Sequence, residues 1–445
     1  VFALTSAARY DARSTRRKVR AKGVLVACPD ARQPAYEAVA GLAAVGRLDR
    51  FVTGFYSSVS GLACALPHVL PDELGTKLRL RLARRRHDAI PDARVISVPA
   101  YDAALALENQ ARSATTRRRL GQWRTRHFDR ALAAIIRKRR PEAVLLFSDV
   151  GSEFALACCR RLGIPAILSM VHGDTAEERE LIKSEQARSP SYFPLYLGDG
   201  EIDRAMLAWL HQRRADDARL ASMLLVPSEH IAARLVARGV STEKIRIVPY
   251  AADCQRFLAP EKLASPGCCT FLFAGGITQR KGISDLFDAW SQVAQSGWTL
   301  QLVGGLPRQL GPLNADLQRP GVVWLGRVSH AEMPRCFSQA DVFVFPSLFE
   351  GSAVVTYEAM ACGLPSIVTR ESGTLARDGL EGLIVPAADP GALAHAMRRL
   401  GEDPELRADF GRRARQRALE HDWPRYHRAV AEAVDEAAEK QPGVA

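Results

Sequence analysis

Short apolar runs that break at glycine or proline and lead into helix-forming sequence recur along this chain, and that repetition restricts the fold more than any other feature. In the second half, Thr270 to Ala274 runs into Gly275 and Gly276, and Leu300 to Val303 into Gly304 and Gly305. Val322 to Leu325 ends at Gly326, Asp341 to Phe345 at Pro346, and Gly382 to Pro386 precedes a helix expected near Asp389. In the first half, Gly23 to Cys28, Phe51 to Thr53, Ala143 to Ser148, Ala166 to Val171, Met223 to Val226 and Ile245 to Val248 read as strands separated by helices. Strand, tight turn and helix in repetition call for a parallel, doubly wound sheet with a site at its carboxyl edge. The 445 residues exceed one ordinary domain and suit two of about 200. The expected fold class is α/β, two Rossmann-like doubly wound parallel-sheet domains facing a cleft. The expected boundaries are a basic arm over 1–22, an N-terminal domain over 23–250, a linker over 251–269, a C-terminal domain over 270–420, and a last helix over 421–445 that packs back towards the N-terminal domain.

Two junctions carry chemistry. After the strand ending at Phe345, Glu350 and Glu358 bracket Gly351, Ser352, Ala353 and Val354 with seven residues between them. A helix expected from about Ala353 offers unpaired backbone N–H groups and a positive dipole end, which together favour an anion. The small residues let a ligand approach the backbone closely. Glu350 and Glu358 would then hold hydroxyls on either side of a bound phosphate; in isolation, such a pair also reads as two solvent-facing helix glutamates. About 70 residues upstream, Gly275, Gly276, Arg280, Lys281 and Gly282 lie between a strand and an amphipathic run from Ile283 to Gln295. Glycines with paired cations make a pyrophosphate cradle, and the cations can stabilise a leaving diphosphate.

Taken together, Glu350, Glu358, the following Ala359 to Pro365 and the Gly275–Gly282 loop resemble the nucleotide-sugar site of the family 4 retaining glycosyltransferases, group 1 type, which have the GT-B fold. The resemblance covers roughly 200 C-terminal residues with several motifs in order, and the first half more weakly. It implies that Glu350 contacts the transferred sugar, that Glu358 contacts ribose hydroxyls, and that amides of Gly351, Ser352, Ala353 and Val354 hold the sugar and diphosphate. It also implies that Gly304, Arg327 and Val328 border the nucleotide, with the base read by main chain. Two departures stand out. The loop after Glu350 lacks the aromatic-containing sequence common in the family, and Gly276 stands where many members carry arginine. Lys281 matches the family lysine directly, so Arg280 has to cover the missing charge. Tyr250 to Phe257 resembles the family's interdomain connection.

The N-terminal contribution is expected from His172, which follows the strand Ala166 to Val171 and so sits at a carboxyl edge, where imidazole can hydrogen-bond a hydroxyl. The family places a sugar-contacting histidine at this strand end. Asp149 is a weaker neighbour, and Asp30, Arg32 and Gln33 occupy a turn that tends to meet the acceptor. Neither an Asp-x-Asp metal motif nor a Gly-x-Ser-x-Gly elbow is present. The expectation is metal-independent transfer of a hexose-type sugar from a nucleoside diphosphate, UDP or GDP, to a hydroxyl of a glycan, a lipid-linked sugar or a small molecule. No further cofactor is expected, retention follows from the resemblance alone, and domain closure would exclude water. The alternatives are another GT-B nucleotide-sugar enzyme such as an epimerase, or a non-catalytic nucleotide-sugar or polyanion-binding protein.

Composition narrows the setting. Hydrophobic residues at 47% and charged residues at 25% are globular values. No apolar run approaches the roughly 20 residues that span a bilayer, and Val1 to Arg9 is too short in apolar residues for a secretory signal. Nine cysteines without a Cys-x-x-Cys spacing fit a reducing compartment, so a cytoplasmic location is expected. The net charge of +12 is uneven: residues 1–140 hold 28 Lys and Arg against 11 Asp and Glu, and the remainder 33 against 38. Leucines alternate with cations over Leu74 to Arg86, which suits both an interfacial helix on anionic lipid and a solvated basic helix. Peripheral association with an anionic inner membrane face and a lipid-linked acceptor follow as expectations. Nucleic acid is not expected as a partner, because no recognition motif accompanies the charge.

Overall fold

The computed structural model describes residues 23–57, 82, 85–197, 203–258 and 267–440. The basic arm, most of the Leu74–Arg86 segment and part of the expected linker lie outside these residues.

The chain builds two parallel sheets. The first comprises β1 (Val24–Ala27), β2 (Leu48–Thr53), β3 (Val95–Ser97), β4 (Val144–Phe147), β5 (Ala166–Ser169), β6 (Met223–Val226) and β7 (Ile245–Ile247), in the order β3-β2-β1-β4-β5-β6-β7. The second comprises β8 (Cys269–Ala274), β9 (Trp298–Val303), β10 (Val322–Gly326), β11 (Val342–Phe345), β12 (Ser366–Val368) and β13 (Gly382–Ile384), in the order β10-β9-β8-β11-β12-β13. Every residue of β1, β4, β5, β6 and β11 is buried, as strands covered on both faces by helices require.

Strand order locates the site. Each sheet reverses direction once, between β1 and β4 and between β8 and β11, and chains leaving adjacent strands there go to opposite faces. Ligands bind at such crevices. The loops that leave the second sheet at this point are Gly275–Gly282 and Pro346–Ala353, the two junctions that carry the sequence motifs. The facing loops of the first sheet hold Asp30 and Arg32 after β1 and Asp149 after β4. Among the described residues no helix is long and apolar enough to cross a membrane.

The last helix, Trp423–Glu439, starts at an Asp422 cap and Pro424. It lies against the first helix, Gln33–Ala44. Tyr426 is buried and its hydroxyl donates to the Pro34 carbonyl at 3.0 Å, while His427 Nε2 lies 2.9 Å from Glu37. Gly41 leaves room for this contact, since a Cβ there would fall 2.6 Å from that of His427. Tyr426→Phe should therefore lower the urea midpoint by the equivalent of about 1 kcal/mol, the net contribution of one buried hydrogen bond. An unchanged midpoint would mean that the hydroxyl adds nothing to docking.

Candidate active site

In the second domain, the crevice at the switch point encloses about 670 Å³. Gly275, Gly276 and Lys281 form one wall, with Gly304, Arg327 and Val328 beside them. Glu350, Ser352, Ala353, Val354 and Glu358 form the other. Close backbone approach explains two of the glycines. A Cβ on Gly304, whose φ is +155°, would meet the Gly275 carbonyl oxygen at 1.7 Å, so the ends of β8 and β9 pack only without it. Gly351 faces the first domain, and a Cβ there would sit 2.3 Å from the Val171 carbonyl oxygen.

Lys281 Nζ and the Glu350 carboxylate form a hydrogen-bonded ion pair, and Arg280 reaches the same carboxylate oxygen at 3.7 Å. The Lys281 ammonium also lies 4.8 Å from the Phe345 ring centroid. Burial acts to raise the Glu350 pKa, but the charges of Lys281 and Arg280 outweigh it and hold the carboxyl below its usual range. Burial lowers the Lys281 pKa, and Glu350 opposes that fall. A half-buried anion held between two cations is thus preformed at the crevice wall. Arg280 approaches Glu350 but does not line the crevice.

The helix after this loop is Val354–Ala361, one residue later than expected. The Ala353 amide already donates to the Ser372 carbonyl at 2.9 Å, so it is not free to hold a ligand as the resemblance implies. Val354 and Val355 begin the helix at the crevice wall. The Ser352 hydroxyl is also committed, lying 2.7 Å from the Tyr357 hydroxyl and donating to the Gly373 carbonyl at 2.6 Å. At the far end, Glu358 is buried and takes a 2.7 Å contact from His330 Nε2. His330 escaped the sequence reading, because an isolated histidine in a loop carries no local signal.

On the first-domain side, His172 Nε2 lies 2.9 Å from Asp149. Asp149 in turn accepts from Arg214 Nε at 2.8 Å, and Arg32 approaches it at 3.8 Å. Burial raises the Asp149 pKa, yet Arg214 and His172 overcome that and hold it well below the usual carboxylate range. Burial leads in lowering the His172 pKa, against the pull of Asp149, so imidazole is the favoured form near neutral pH. Asp149 was read as a minor neighbour, whereas the structure makes it the pivot of this cluster. Its φ of +81° is unusual for a residue other than glycine.

The two sides meet directly. Ser228 Oγ donates to the Gly351 carbonyl at 3.2 Å, and the Arg280 amide donates to the Tyr196 carbonyl at 3.2 Å. Among the described residues no cluster of three or more His, Cys, Asp or Glu side chains is placed to hold a metal ion.

A family model for glycosyl transferases group 1 matches residues 268–403, and one for Glycosyltransferase Family 4 matches residues 76–256. The D-inositol 3-phosphate glycosyltransferase of Pseudarthrobacter chlorophenolicus is 31% identical over 243 residues, covering 50% of this chain and 58% of that relative. The putative colanic acid biosynthesis glycosyltransferase WcaL of Escherichia coli is 29% identical over 221 residues, covering 46% and 54% respectively. The chain therefore spans little more than half the length of the curated relatives it matches. Among solved structures, sucrose-phosphate synthase from Thermosynechococcus elongatus superposes with a TM-score of 0.64 at 19% identity, over 93% of this chain and 98% of that one. Anabaena HepE in complex with UDP-glucose gives a TM-score of 0.59 at 15% identity, over 93% and 99%. At these identities the structural likenesses carry the fold alone.

Proposed function

We propose, from the premise that this chain belongs to the group 1, family 4 glycosyltransferases with the GT-B fold, that it moves a hexose-type sugar from a nucleoside-diphosphate sugar to an acceptor hydroxyl. The observation that carries this reading is the Lys281–Glu350 pair at the switch-point crevice, with Arg280 beside it and Glu358 at the far end. A donor diphosphate entering there takes over Lys281, which frees Glu350 to accept hydrogen bonds from sugar hydroxyls. Glu358, with His330 against it, would then meet the ribose hydroxyls. Arg327 adds a cation to the same wall.

In this reading, the bond from the anomeric carbon to the β-phosphate oxygen is exchanged for one to the acceptor oxygen on the same face of the ring, and the acceptor's hydroxyl proton passes to the departing phosphate oxygen. Lys281 and Arg280 offset the charge that grows on the departing diphosphate, an electrostatic role that needs no divalent ion. His172, neutral and held by Asp149, is aimed from the other domain to orient a hydroxyl. The acceptor would lie near Asp30 and Arg32. Anabaena HepE, which shares the fold, was crystallised with UDP and with UDP-glucose, so a uridine donor is the first to test here.

A thermal-shift series with UDP, GDP, ADP and their common sugar conjugates tests the reading. One base series should raise the melting temperature through binding to the native state, and Lys281→Ala should remove that rise. No rise with any nucleotide would sink the donor assignment.

A further inference from the structure

The helix Thr175–Arg188 buries only two residues, and both are glutamates, Glu178 and Glu185. A helix that contributes to a core buries apolar side chains; burying carboxylates is costly unless each is paired. Seven residues apart, the two lie on one face, two turns from each other. Asp174 caps the helix by accepting from the Glu177 amide at 3.0 Å.

Glu178 serves the first-domain side of the cleft. It accepts from Arg214 at 3.2 Å and lies 2.9 Å from His211 Nε2. Arg214 continues to Asp149, and Asp149 to His172. Glu185 serves the second-domain side. It accepts from Gln279 Nε2 at 2.8 Å and from both ends of the Arg188 guanidinium at 2.6 and 2.9 Å. Arg188 then crosses to Asp285 of the second domain with hydrogen bonds of 2.5 and 2.9 Å. Gln279 is fully buried immediately before Arg280 and Lys281, and its side-chain oxygen accepts from the Ser284 amide at 3.2 Å, tying the turn to the helix Ile283–Val293.

We propose that the helix Thr175–Arg188 is a positioning crosspiece between the two halves of the active site. Glu178 sets His172 through Arg214 and Asp149. Glu185 and Arg188 set the Gln279–Lys281 turn through Gln279 and Asp285. Both sides of the cleft reach working geometry when the domains close on this helix. None of its residues lines the crevice that holds Lys281 and Glu350, so they are positioning residues. Only the nucleotide affinities tied to this crosspiece rest on the donor reading above.

The test is a charge exchange across the interface, with Arg188→Asp, Asp285→Arg and the two combined. Interdomain separation is read by small-angle scattering or a dye pair, and UDP, GDP and ADP affinities by calorimetry. Each single variant should widen the separation and weaken the bound nucleotide about tenfold, as coupled neighbours in one network do, and the combined variant should recover most of both. Glu185→Gln, which keeps volume and loses charge, should move both readouts the same way by less, and it decides the matter if a charge reversal fails to fold. In turnover, Glu185→Gln should raise donor KM, while Glu178→Gln should lower kcat and leave donor KM alone. A separation unchanged in the single variants overturns the crosspiece; a widened separation with unchanged nucleotide affinity overturns its coupling to the turn. If the wild-type chain binds none of the three nucleotides, the donor reading fails by itself, and the separation still decides whether this helix holds the domains together.

Discussion

Glu350→Gln should cost about a thousandfold in sugar transfer while leaving the protein able to bind nucleoside diphosphate at least as tightly as before. The two halves of that result come from one arrangement. In the unliganded crevice the Glu350 carboxylate occupies Lys281 and draws on Arg280, so it competes with an incoming diphosphate for the same charge. Removing the anion removes the competitor. It also replaces one of the two oxygens that accept from sugar hydroxyls by an NH2 donor and removes the charge that strengthens those bonds, and the loss then falls on turnover. Lys281→Ala predicts the opposite split, with nucleotide affinity falling first. Calorimetry with nucleoside diphosphate beside a transfer assay separates the two. Transfer within a few fold of wild type in Glu350→Gln would remove Glu350 from the site.

How much of this was visible in the sequence follows from how local each feature is. Strand, glycine turn and helix are written in consecutive residues, so eleven of the thirteen strands and the two junctions were legible, including Glu350, Lys281 and the helix from Val354, whereas β3 and β12 were not read. The fate of the Ala353 amide depends on Ser372, nineteen residues on, and no spacing rule encodes it. The helix Thr175–Arg188 carried the wrong signal: rich in charge, it reads as a solvated helix, yet Glu178 and Glu185 are buried by partners up to 100 residues away. Charge counting is likewise blind to pairing. Arg85 turns inward to Asp102 and the Pro29 carbonyl, Arg139 pairs with Asp49, Arg124 with Glu108 and Arg118 with Asp203. Asp102, Asp49 and Glu108 are already counted against those cations, so of these pairs only Arg118–Asp203 draws on the excess of residues 1–140.

Asp149→Asn is the second variant with a large expected effect, and its signature is a shift in pH dependence. Asparagine matches the aspartate in size and tolerates a positive φ, so the backbone at +81° is not what the substitution perturbs. It removes the anion that balances Arg214, which is only 14% exposed at its side chain. Leaving a buried charge short of its partner costs on the order of 3 kcal/mol of stability, softened here by the remaining contact of Arg214 with Glu178. Asp149 favours the charged form of His172, whereas burial and Arg214 favour the neutral one. Without Asp149 the imidazole therefore titrates at still lower pH. The sign for stability is the same: a histidine whose folded pKa lies below its unfolded value contributes stability above the unfolded pKa and loses it as pH falls through the folded one. If neutral His172 is the working form, the acid limb of kcat/KM should move to lower pH in Asp149→Asn, while the plateau falls about a hundredfold because the ring is no longer held. An acid limb that stays in place while the plateau falls would show that His172 does not set the profile, and an unchanged plateau would mean that Asp149 does not position it.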